Sequence, residues 1–305
     1  MISLRKVQMS KQPDIKVTLC MASFNRLDES KIWVRRHSPF VDRTIIIDGG
    51  SWDGSIEFFN SQECKDLNVE CYVHPWVDDP PGQRNKYLDL IDGGWVLVLD
   101  CDELLEEPAV YKLRYLAKDA EDKGCDGVAF IAHDIQIEPE GGIYDSKSNY
   151  YNRSFFKATP KMRYMGHTHV ALYRPDAKDR CMKTEYQYFH IKPWADVFFR
   201  ACRNYWTTCG VADNRNDDKS WLEFKQLVKD SGFNYFYQFA EYMKKGNIDD
   251  KFKKWFIEHK DDENPEARSW FISYFMFLHP QENVDQIGNR DLQYDTNRQP
   301  VQLRA

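Results

Sequence analysis

The sequence lacks several features that would assign it to a class at once. Its eight cysteines are scattered and include no Cys-x-x-Cys pair, which favours reduced core residues over a disulfide scaffold. No apolar run is long enough to span a bilayer, and residues 1–6 lack the apolar segment of a signal peptide. We therefore expect a soluble, cytoplasmic protein, and we leave open a peripheral contact with a membrane through the aromatic second half.

The chain also lacks a basic block. The sequence has 42 lysines and arginines and 48 acidic residues, which give a net charge of −6. This charge argues against nucleic acid as a partner. A nucleotide is compatible with this charge, because binding one needs only one or two cations and a metal ion. The 305 residues and 42% hydrophobic content suit one large domain or two modest ones with a substantial core.

Short apolar runs alternate with helical patterns through the first part of the chain. Continuous apolar runs predict buried strands, and an apolar residue at every third or fourth position predicts a helix. The predicted strands cover residues 17–21, 44–47, 69–73, 95–99 and 127–132. Repeated strand-helix-strand units are typical of a parallel sheet with right-handed crossovers, so we predict an α/β fold.

The remaining residues are less regular. Residues 133–192 predict a looser region, with a loop or hairpin up to Asn149 and a short strand at 171–174. From Trp194 the aromatic residues recur at helical spacing, which predicts a helical region over 193–280. Residues 1–14 and 281–305 are polar and predict a lead-in and a tail.

The central feature is the stretch Trp95–Glu103, in which five apolar residues end at Asp100-Cys101-Asp102. Ligands of open α/β sheets bind beyond the carboxyl ends of the strands. Because side chains alternate along a strand, we expect Asp100 and Asp102 to point the same way, roughly 7 Å apart. Such a pair suits a hard divalent cation bridging to a phosphate-bearing ligand. The alternative is a strand end followed by an aspartate that caps the next helix.

Polar clusters follow the other predicted strands as well. The first strand ends at Ser23-Phe24-Asn25-Arg26, and the second ends at a turn from Asp48 to Asp53. A third cluster, Gly82-Gln83-Arg84-Asn85, opens the helix before the central strand. A doubly wound sheet brings such clusters together along one edge.

The order of these clusters resembles that of the family 2 glycosyltransferases, which have the GT-A fold. Their pattern is a strand ending in Asn-Arg, an Asp-Gly-Ser-x-Asp turn, an Arg-Asn pair opening a helix, and a strand ending in Asp-x-Asp. This chain has Asn25-Arg26, Asp48 to Asp53 with one extra glycine, Arg84-Asn85, and Asp100 to Asp102. The resemblance implies a mostly parallel, Rossmann-like GT-A core over residues 15–192, followed by the helical region.

The resemblance also implies roles for individual residues. It places Ser23, Asn25, Arg26, Asp48, Arg84 and Asp100 around a nucleotide-diphosphate sugar, with a UDP-sugar favoured. In the family, the residue matching Asp48 contacts uracil, and the residue matching Asp102 binds Mn²⁺ or Mg²⁺. Each residue also has a structural alternative. Asp48 is equally suited to capping the turn, Arg84 to a solvated helix face, and Asn25 with Arg26 to capping the following helix.

The pattern does not identify which histidine binds the metal or which residue is the general base. Some GT-A enzymes place a metal-binding histidine where His190 lies, and His169 is the second candidate. An inverting transferase needs a base to deprotonate the acceptor hydroxyl. The family's usual Glu-Asp pair is absent here, which leaves Glu103, Asp134, Asp145 and His169 as candidates.

Together these features predict a metal-dependent glycosyltransferase. The expected reaction moves a sugar to a hydroxyl of a glycan, a lipid-linked molecule or another acceptor, with inversion. One alternative is a sugar-phosphate nucleotidyltransferase, although Ser23–Arg26 is not the Gly-rich, basic loop that such an enzyme carries after its first strand. The other alternative is a non-catalytic protein that binds nucleotides or carbohydrates on the same fold.

Overall fold

The computed structural model describes residues 12–137, 143–166, 170–193, 219–244 and 249–258. Its main feature is an eight-stranded sheet with the strand order β3-β2-β1-β4-β7-β6-β10-β5. A separate two-stranded ribbon is formed by β8 and β9. The strands are β1 Val17–Ser23, β2 Arg43–Asp48, β3 Val69–Val73, β4 Trp95–Val98, β5 Glu103–Leu105, β6 Gly127–Ile137, β7 Ile143–Lys157, β8 Arg163–Met165, β9 Ala171–Tyr173 and β10 Cys181–Pro193.

The sheet has a parallel half and a mixed half. Strands β3, β2, β1 and β4 are parallel to one another, as the alternation of strands and helices predicted. Strand β7 is antiparallel to both β4 and β6, β10 is parallel to β6, and β5 is antiparallel to β10. The α/β prediction is confirmed, and the second half of the sheet is more mixed than the sequence pattern indicated.

Helices cover the sheet, and α3 and α4 begin after residues whose side chains cap them. Asp79 caps α4 by accepting a hydrogen bond from the Gly82 N–H at 3.0 Å, and Pro80 occupies the first turn. The helices of the first half are α1 Leu27–His37, α2 Ser55–Phe59, α3 Gln62–Asp66, α4 Pro80–Leu88, α5 Glu107–Tyr111 and α6 Leu113–Asp122.

The central strands are mainly apolar and buried because both faces of the sheet are covered. In β1, Leu19 and Met21 pack with Trp33 on one face, whereas Cys20 packs with Tyr87 on the other. A strand buried on both sides has no solvated face, so its sequence is a continuous apolar run. The prediction of buried strands is confirmed here.

Residues 133–192 are more regular than expected, and the hairpin predicted in this region is present as the antiparallel pair β6 and β7. Strand β6 continues to Ile137, β7 begins at Ile143, and β10 runs for 13 residues. The continuation of β6 beyond Ala132 and most of the described part of β10 are polar and partly exposed, so they lack the continuous apolar run that marked the other strands. The short strand predicted at 171–174 is present as β9.

Beyond Pro193, the described residues form three helices, which are α7 Lys219–Asp230, α8 Phe236–Lys244 and α9 Asp250–Glu258. Phe224, Phe239 and Phe252, one from each helix, are buried against one another. The backbone N–H of Phe236 donates to Asp78 Oδ2 at 2.8 Å, which connects α8 to the loop after β3. The helices predicted just after Trp194 and near residues 265–280, and the polar tail, lie outside the described residues.

The end of α1 fixes the short strand β5. His37 Nδ1 donates to the Trp33 carbonyl at 2.9 Å, so its Nε2 is free to accept from the Leu105 N–H at 3.2 Å. Arg36 donates to the Leu105 carbonyl at 2.6 and 2.9 Å. Helix α1 therefore holds both backbone groups of Leu105, two residues after Glu103.

His37 makes the stability of the protein depend on pH. Burial lowers the pKa of His37 to about 3, whereas the unfolded chain has the ordinary value of 6.5. Below pH 6.5 the unfolded state binds more protons, so the contribution of neutral His37 is present above that pH and is lost as pH falls. We expect this histidine alone to cost about 2 kcal/mol of unfolding free energy between pH 7 and pH 5.

Urea unfolding of wild type and His37→Gln at the two pH values tests this expectation. The glutamine variant is expected to be less stable at pH 7 but to lose less stability on acidification. Comparing the two proteins removes the contributions of the other titrating groups. An equal loss in both proteins would show that His37 is not the group responsible.

Candidate active site

The acidic stretch after β4 forms a turn. Strand β4 ends at Val98, and the Glu103 N–H donates to the Asp100 carbonyl at 2.9 Å. The expectation that Asp100 and Asp102 share one strand face is therefore wrong. Alternation applies only to extended backbone, and in the turn the two carboxylates find different partners. Asp100 contacts Arg84, and Asp102 contacts His190.

Arg84 on α4 is held in place by Asp100. Its Nη2 donates to Asp100 Oδ2 at 2.5 Å, and its guanidinium lies 5.4 Å from the centroid of the Tyr164 ring. Burial is the largest single effect and lowers the pKa of Arg84, but the negative groups around it, Asp100 first and then Tyr87, Tyr164 and Glu103, together outweigh burial and raise the pKa. The alternative of a solvated helix face is wrong, because this arginine is partly buried in an ion pair beside the acidic turn.

His190 lies between two carboxylates. It pairs in register with Glu103 on β5 and with Asp134 on β6. Its Nε2 is 3.3 Å from Asp102 Oδ2, and its Nδ1 is 3.1 Å from Asp134 Oδ1. Burial lowers the pKa of His190, but the hydrogen bonds to the two aspartates outweigh it and raise the pKa to about 9.

Glu103 is buried beside the same histidine. Its Oε2 accepts from the Asp100 N–H at 2.6 Å, and the Tyr188 hydroxyl also hydrogen-bonds to its carboxylate. Burial, followed by the charge of Asp100, raises the pKa of Glu103 to about 7. A carboxylate with a pKa near neutrality can take up a proton at physiological pH.

Asp134 has a different environment from Glu103. Its Oδ1 contacts both His190 Nδ1 and Lys192 Nζ, each at 3.1 Å. The hydrogen bond from His190 is the main cause that lowers the pKa of Asp134 to about 2. Asp134 is thus an acceptor that orients His190 from the side opposite Asp102.

Asp102, Glu103 and His190 form a group that could hold a metal ion. Each offers one ligand atom, and these atoms lie within 4.8 Å of one another. Two carboxylates and an imidazole suit a divalent cation, and the mixed oxygen and nitrogen set favours Mn²⁺ over Mg²⁺, which prefers oxygen alone. The second ring nitrogen of His190 already contacts a carboxylate, as in most metal-ligating histidines.

A cavity of about 780 Å³ contains this group. Its wall includes Ser23, Arg26, Arg84, Asp100, Asp102, Glu103 and His190, which unites most of the site residues predicted from the sequence. The Ser23 hydroxyl is buried and has no hydrogen-bond partner within the described ranges. A buried polar group without a partner is costly, so a ligand that bonds to Ser23 would relieve this cost.

Asn25 joins the loops that follow β1 and β2, and Asp48 caps the second of these loops. Asp48 is fully buried, and its oxygens accept from the Gly50 N–H, the Ser51 N–H and the Ser51 hydroxyl at 2.7 to 2.8 Å. Asn25 Oδ1 accepts from the Trp52 N–H at 2.9 Å. This geometry favours the turn-capping role of Asp48 over a contact with a nucleotide base.

The aromatic side of the cavity was not predicted. The rings of Phe24 and Trp76 are near-parallel, with centroids 6.4 Å apart, and the ring of Tyr237 lies 5.1 Å from Phe24. Tyr237 belongs to α8, so it is more than 200 positions away from Phe24 in the sequence. The high aromatic content was the only available signal. His169, predicted as a ligand or base, lies outside the described residues.

A sequence model of glycosyl transferase family 2 matches residues 21–180, which is more than half of the chain. The chain therefore belongs to glycosyl transferase family 2, and it is a glycosyltransferase with the GT-A fold. Membership in this family decides against the nucleotidyltransferase. No curated protein matches the sequence.

Several solved structures are similar to this chain. S. aureus TarS 1–349 in complex with UDP-GlcNAc is 9% identical with a TM-score of 0.43, covering 87% of this chain and 82% of that chain. The same TarS fragment with UDP is 10% identical with a TM-score of 0.39, covering 87% and 81%. The mannosyltransferase PcManGT from Pyrobaculum calidifontis, in complex with GDP-Man and Mn²⁺, is 16% identical with a TM-score of 0.33, covering 41% and 38%. The family assignment does not depend on these weak likenesses.

None of the helices in the described ranges combines the length and the apolar character that crossing a membrane requires.

Proposed function

We propose that this glycosyltransferase is metal-dependent and moves a sugar from a nucleotide-diphosphate donor to an acceptor hydroxyl with inversion. The observation that carries the proposal is the convergence of Asp102, Glu103 and His190 within 4.8 Å of one another. They line a cavity of about 780 Å³, and sites for ligands of this size usually measure about 300–1,000 Å³.

The donor is proposed to lie along the edge of the parallel half of the sheet. Ser23 and Arg26 line the cavity near the end of β1, and Arg84 with Asp100 lines it near the acidic turn. Asp48 and Asn25 shape the adjoining loops without facing the ligand themselves. A UDP-sugar is the donor that the family resemblance favours.

Asp102 and His190 are the proposed metal ligands, and Mn²⁺ is the favoured ion. When bound, the metal ion neutralises charge on the diphosphate and so makes it a better leaving group. Asp134 and Lys192 are proposed to position His190 from behind. A carboxylate that accepts from the second ring nitrogen fixes the orientation of a metal-ligating imidazole.

Glu103 is the proposed general base. Unlike Asp134, it lines the large cavity and also a second, adjoining cavity, so it lies where a donor and an acceptor would meet. In the proposed reaction the acceptor oxygen attacks the anomeric carbon, the bond from that carbon to the diphosphate oxygen breaks, and the hydroxyl proton moves to Glu103. A single displacement of this kind inverts the anomeric carbon.

Calorimetric titration of UDP, with and without Mn²⁺, tests the metal dependence. We expect Mn²⁺ to tighten UDP binding in wild type, and His190→Ala to reduce that gain at least about tenfold, because even groups behind a ligand are worth 10- to 100-fold in metal affinity. His133→Ala is the matched control, since His133 lies on the neighbouring strand and does not line the cavity.

Two results would oppose this assignment. UDP affinity that is the same with and without Mn²⁺ would remove the metal from the proposal. A His169→Ala variant that loses the Mn²⁺ effect, beside a His190→Ala variant that keeps it, would move the ligand to residue 169.

A further inference from the structure

A second cavity, of about 380 Å³, adjoins the proposed donor site. Arg84, Glu103 and Asn152 line both cavities, so a molecule in the smaller one would reach the proposed base. The proposed function assigns no role to the other residues that line the smaller cavity. Three arginines line it, namely Arg84, Arg153 and Arg174, in a chain whose net charge is −6.

The wall of this cavity is built by an irregularity in β7. Val128 pairs with Phe155, but Phe130 pairs with Asn152, so β7 uses three residue steps where β6 uses two. Consecutive residues of a regular strand point to opposite faces, and a β-bulge re-aims them. As a result Asn152, Arg153 and Ser154 all line the cavity, and the Ser154 N–H donates to Asn152 Oδ1 at 2.8 Å.

These three residues present unused hydrogen-bond donors. Arg153 is exposed and makes no ion pair or hydrogen bond within the described part of the chain. The Ser154 hydroxyl is buried and likewise has no partner there. Asn152 uses its oxygen to accept from Ser154, which leaves its amide nitrogen to donate. Donors without an internal acceptor indicate a site for a ligand that accepts hydrogen bonds.

Arg174 supplies a fixed positive charge on another wall. Its Nη1 donates to the Asp126 carbonyl at 3.1 Å, and its guanidinium lies 5.4 Å from the Phe156 ring centroid. Its ion pair with Asp179 is 3.5 Å long, and the Asp179 side chain is 75% exposed, so solvent screens that pair. Asp126, 3.7 Å from Arg174 Nη2, already accepts three backbone N–H bonds.

The acidic residues that line the cavity are Asp179 and Glu103. Arg84 is matched by Asp100, and Arg174 is partly matched by Asp126 and Asp179, whereas Arg153 has no ion-pair partner among the residues that the structure describes. Arginine guanidinium groups bind phosphate and carboxylate through paired, charge-assisted hydrogen bonds.

We infer that the smaller cavity binds an anionic group, a phosphate or a carboxylate, on the acceptor molecule. This inference rests on the proposed function, which places the sugar donor in the larger cavity. Arg153, with the Ser154 hydroxyl and the Asn152 amide, holds the anionic group, and Arg174 adds its charge. The hydroxyl to be glycosylated then lies toward Glu103 at the junction of the two cavities.

Calorimetry with three probe sugars tests the inference. Glucose, glucose 6-phosphate and glucuronate are titrated into the full-length protein loaded with UDP and Mn²⁺, and again into the protein without nucleotide. We expect wild type to bind at least one of the two anionic sugars about tenfold more tightly than glucose. This is the gain in affinity expected from one charge-assisted hydrogen bond that solvent partly screens. Comparing the two anionic sugars separates phosphate from carboxylate.

Variants locate the binding site. Arg153→Gln is expected to lose the tenfold preference for the anionic sugar, and Arg153→Lys to keep part of it. Lys183→Gln is the matched control, because Lys183 is an exposed cation on β10 that lies over the Tyr151 ring and does not line the cavity. Circular dichroism and a thermal melt of each variant confirm that it is folded.

The outcomes distinguish this inference from the proposed function. UDP affinity is measured separately, so a protein that binds UDP but treats the three sugars alike overturns the anionic subsite alone. A preference that Arg153→Gln retains, or that Lys183→Gln loses, also overturns it. A protein that fails to bind UDP counts against the proposed function, and the titration without nucleotide still decides whether the cavity prefers an anion.

Discussion

Asp102→Asn is expected to abolish the effect of Mn²⁺ on UDP binding and to lower sugar transfer at least about a thousandfold, which corresponds to the several kcal/mol that a metal ion supplies. The substitution keeps the shape of the side chain and removes its charge. Asp102 lies in the turn after β4, where its carboxylate is nearly buried and 3.3 Å from His190. An amide there remains a neutral partner for the histidine, so the protein should stay folded.

Calorimetry with UDP and Mn²⁺, together with a transfer assay, measures the effect of this change. Asp92→Asn is a suitable control, because Asp92 is an exposed partner of Lys16 and does not line the cavity. A folded Asp102→Asn protein that binds UDP and Mn²⁺ like wild type would falsify the metal assignment.

Glu103→Gln is expected to lower kcat by about 10²- to 10⁴-fold, the usual contribution of a general base. The glutamine keeps the hydrogen bond from the Asp100 N–H but cannot take up the acceptor proton. The affinity for UDP and Mn²⁺ should change much less than kcat, since Asp102 and His190 remain. The comparison of kcat with the affinity for UDP and Mn²⁺ is therefore the informative measurement.

Two further variants make this prediction specific. Glu107→Gln, on the exposed side of α5, is the control for removing a negative charge near the site. Asp134→Asn should act by misplacing His190, and so should weaken Mn²⁺ binding more than it lowers kcat at saturating Mn²⁺. If instead Glu103→Gln weakens Mn²⁺ binding and Asp134→Asn lowers only kcat, then Asp134 is the general base and Glu103 is the residue that supports metal binding.

The sequence identified His190 as a candidate ligand but did not identify the residues that contact it. Its position after the acceptor region made it a candidate ligand, but nothing in the sequence paired it with Asp134. That pair depends on the parallel register of β10 with β6, strands separated by β7 and two further strands along the chain. Register is a property of the assembled sheet, so a side chain gains such partners only in the tertiary structure.

For Asp48, the sequence identified the position of the residue but left two roles open. Its place at the end of a buried strand suggested two roles, contact with a base and capping of the turn. The structure shows the capping role, because the buried carboxylate accepts three hydrogen bonds within its own turn. Contact with a base stays a prediction. The sequence could identify the turn but could not determine which way the carboxylate faces.

The sequence by itself determined features that are local or that repeat along the chain. Mainly apolar runs marked β1, β2 and β4, and the spacing of Asn25-Arg26, Asp48, Arg84 and the acidic turn marked the family. The tertiary structure decided how polar strands pair and which side chains meet. The bulge at Arg153, the pairing of Arg84 with Asp100 and the approach of Tyr237 to Phe24 each join residues without a shared local pattern. The physical reason is that apolar burial follows the repeat of a single strand or helix, whereas the partner of a polar group is set by packing between elements distant in the chain.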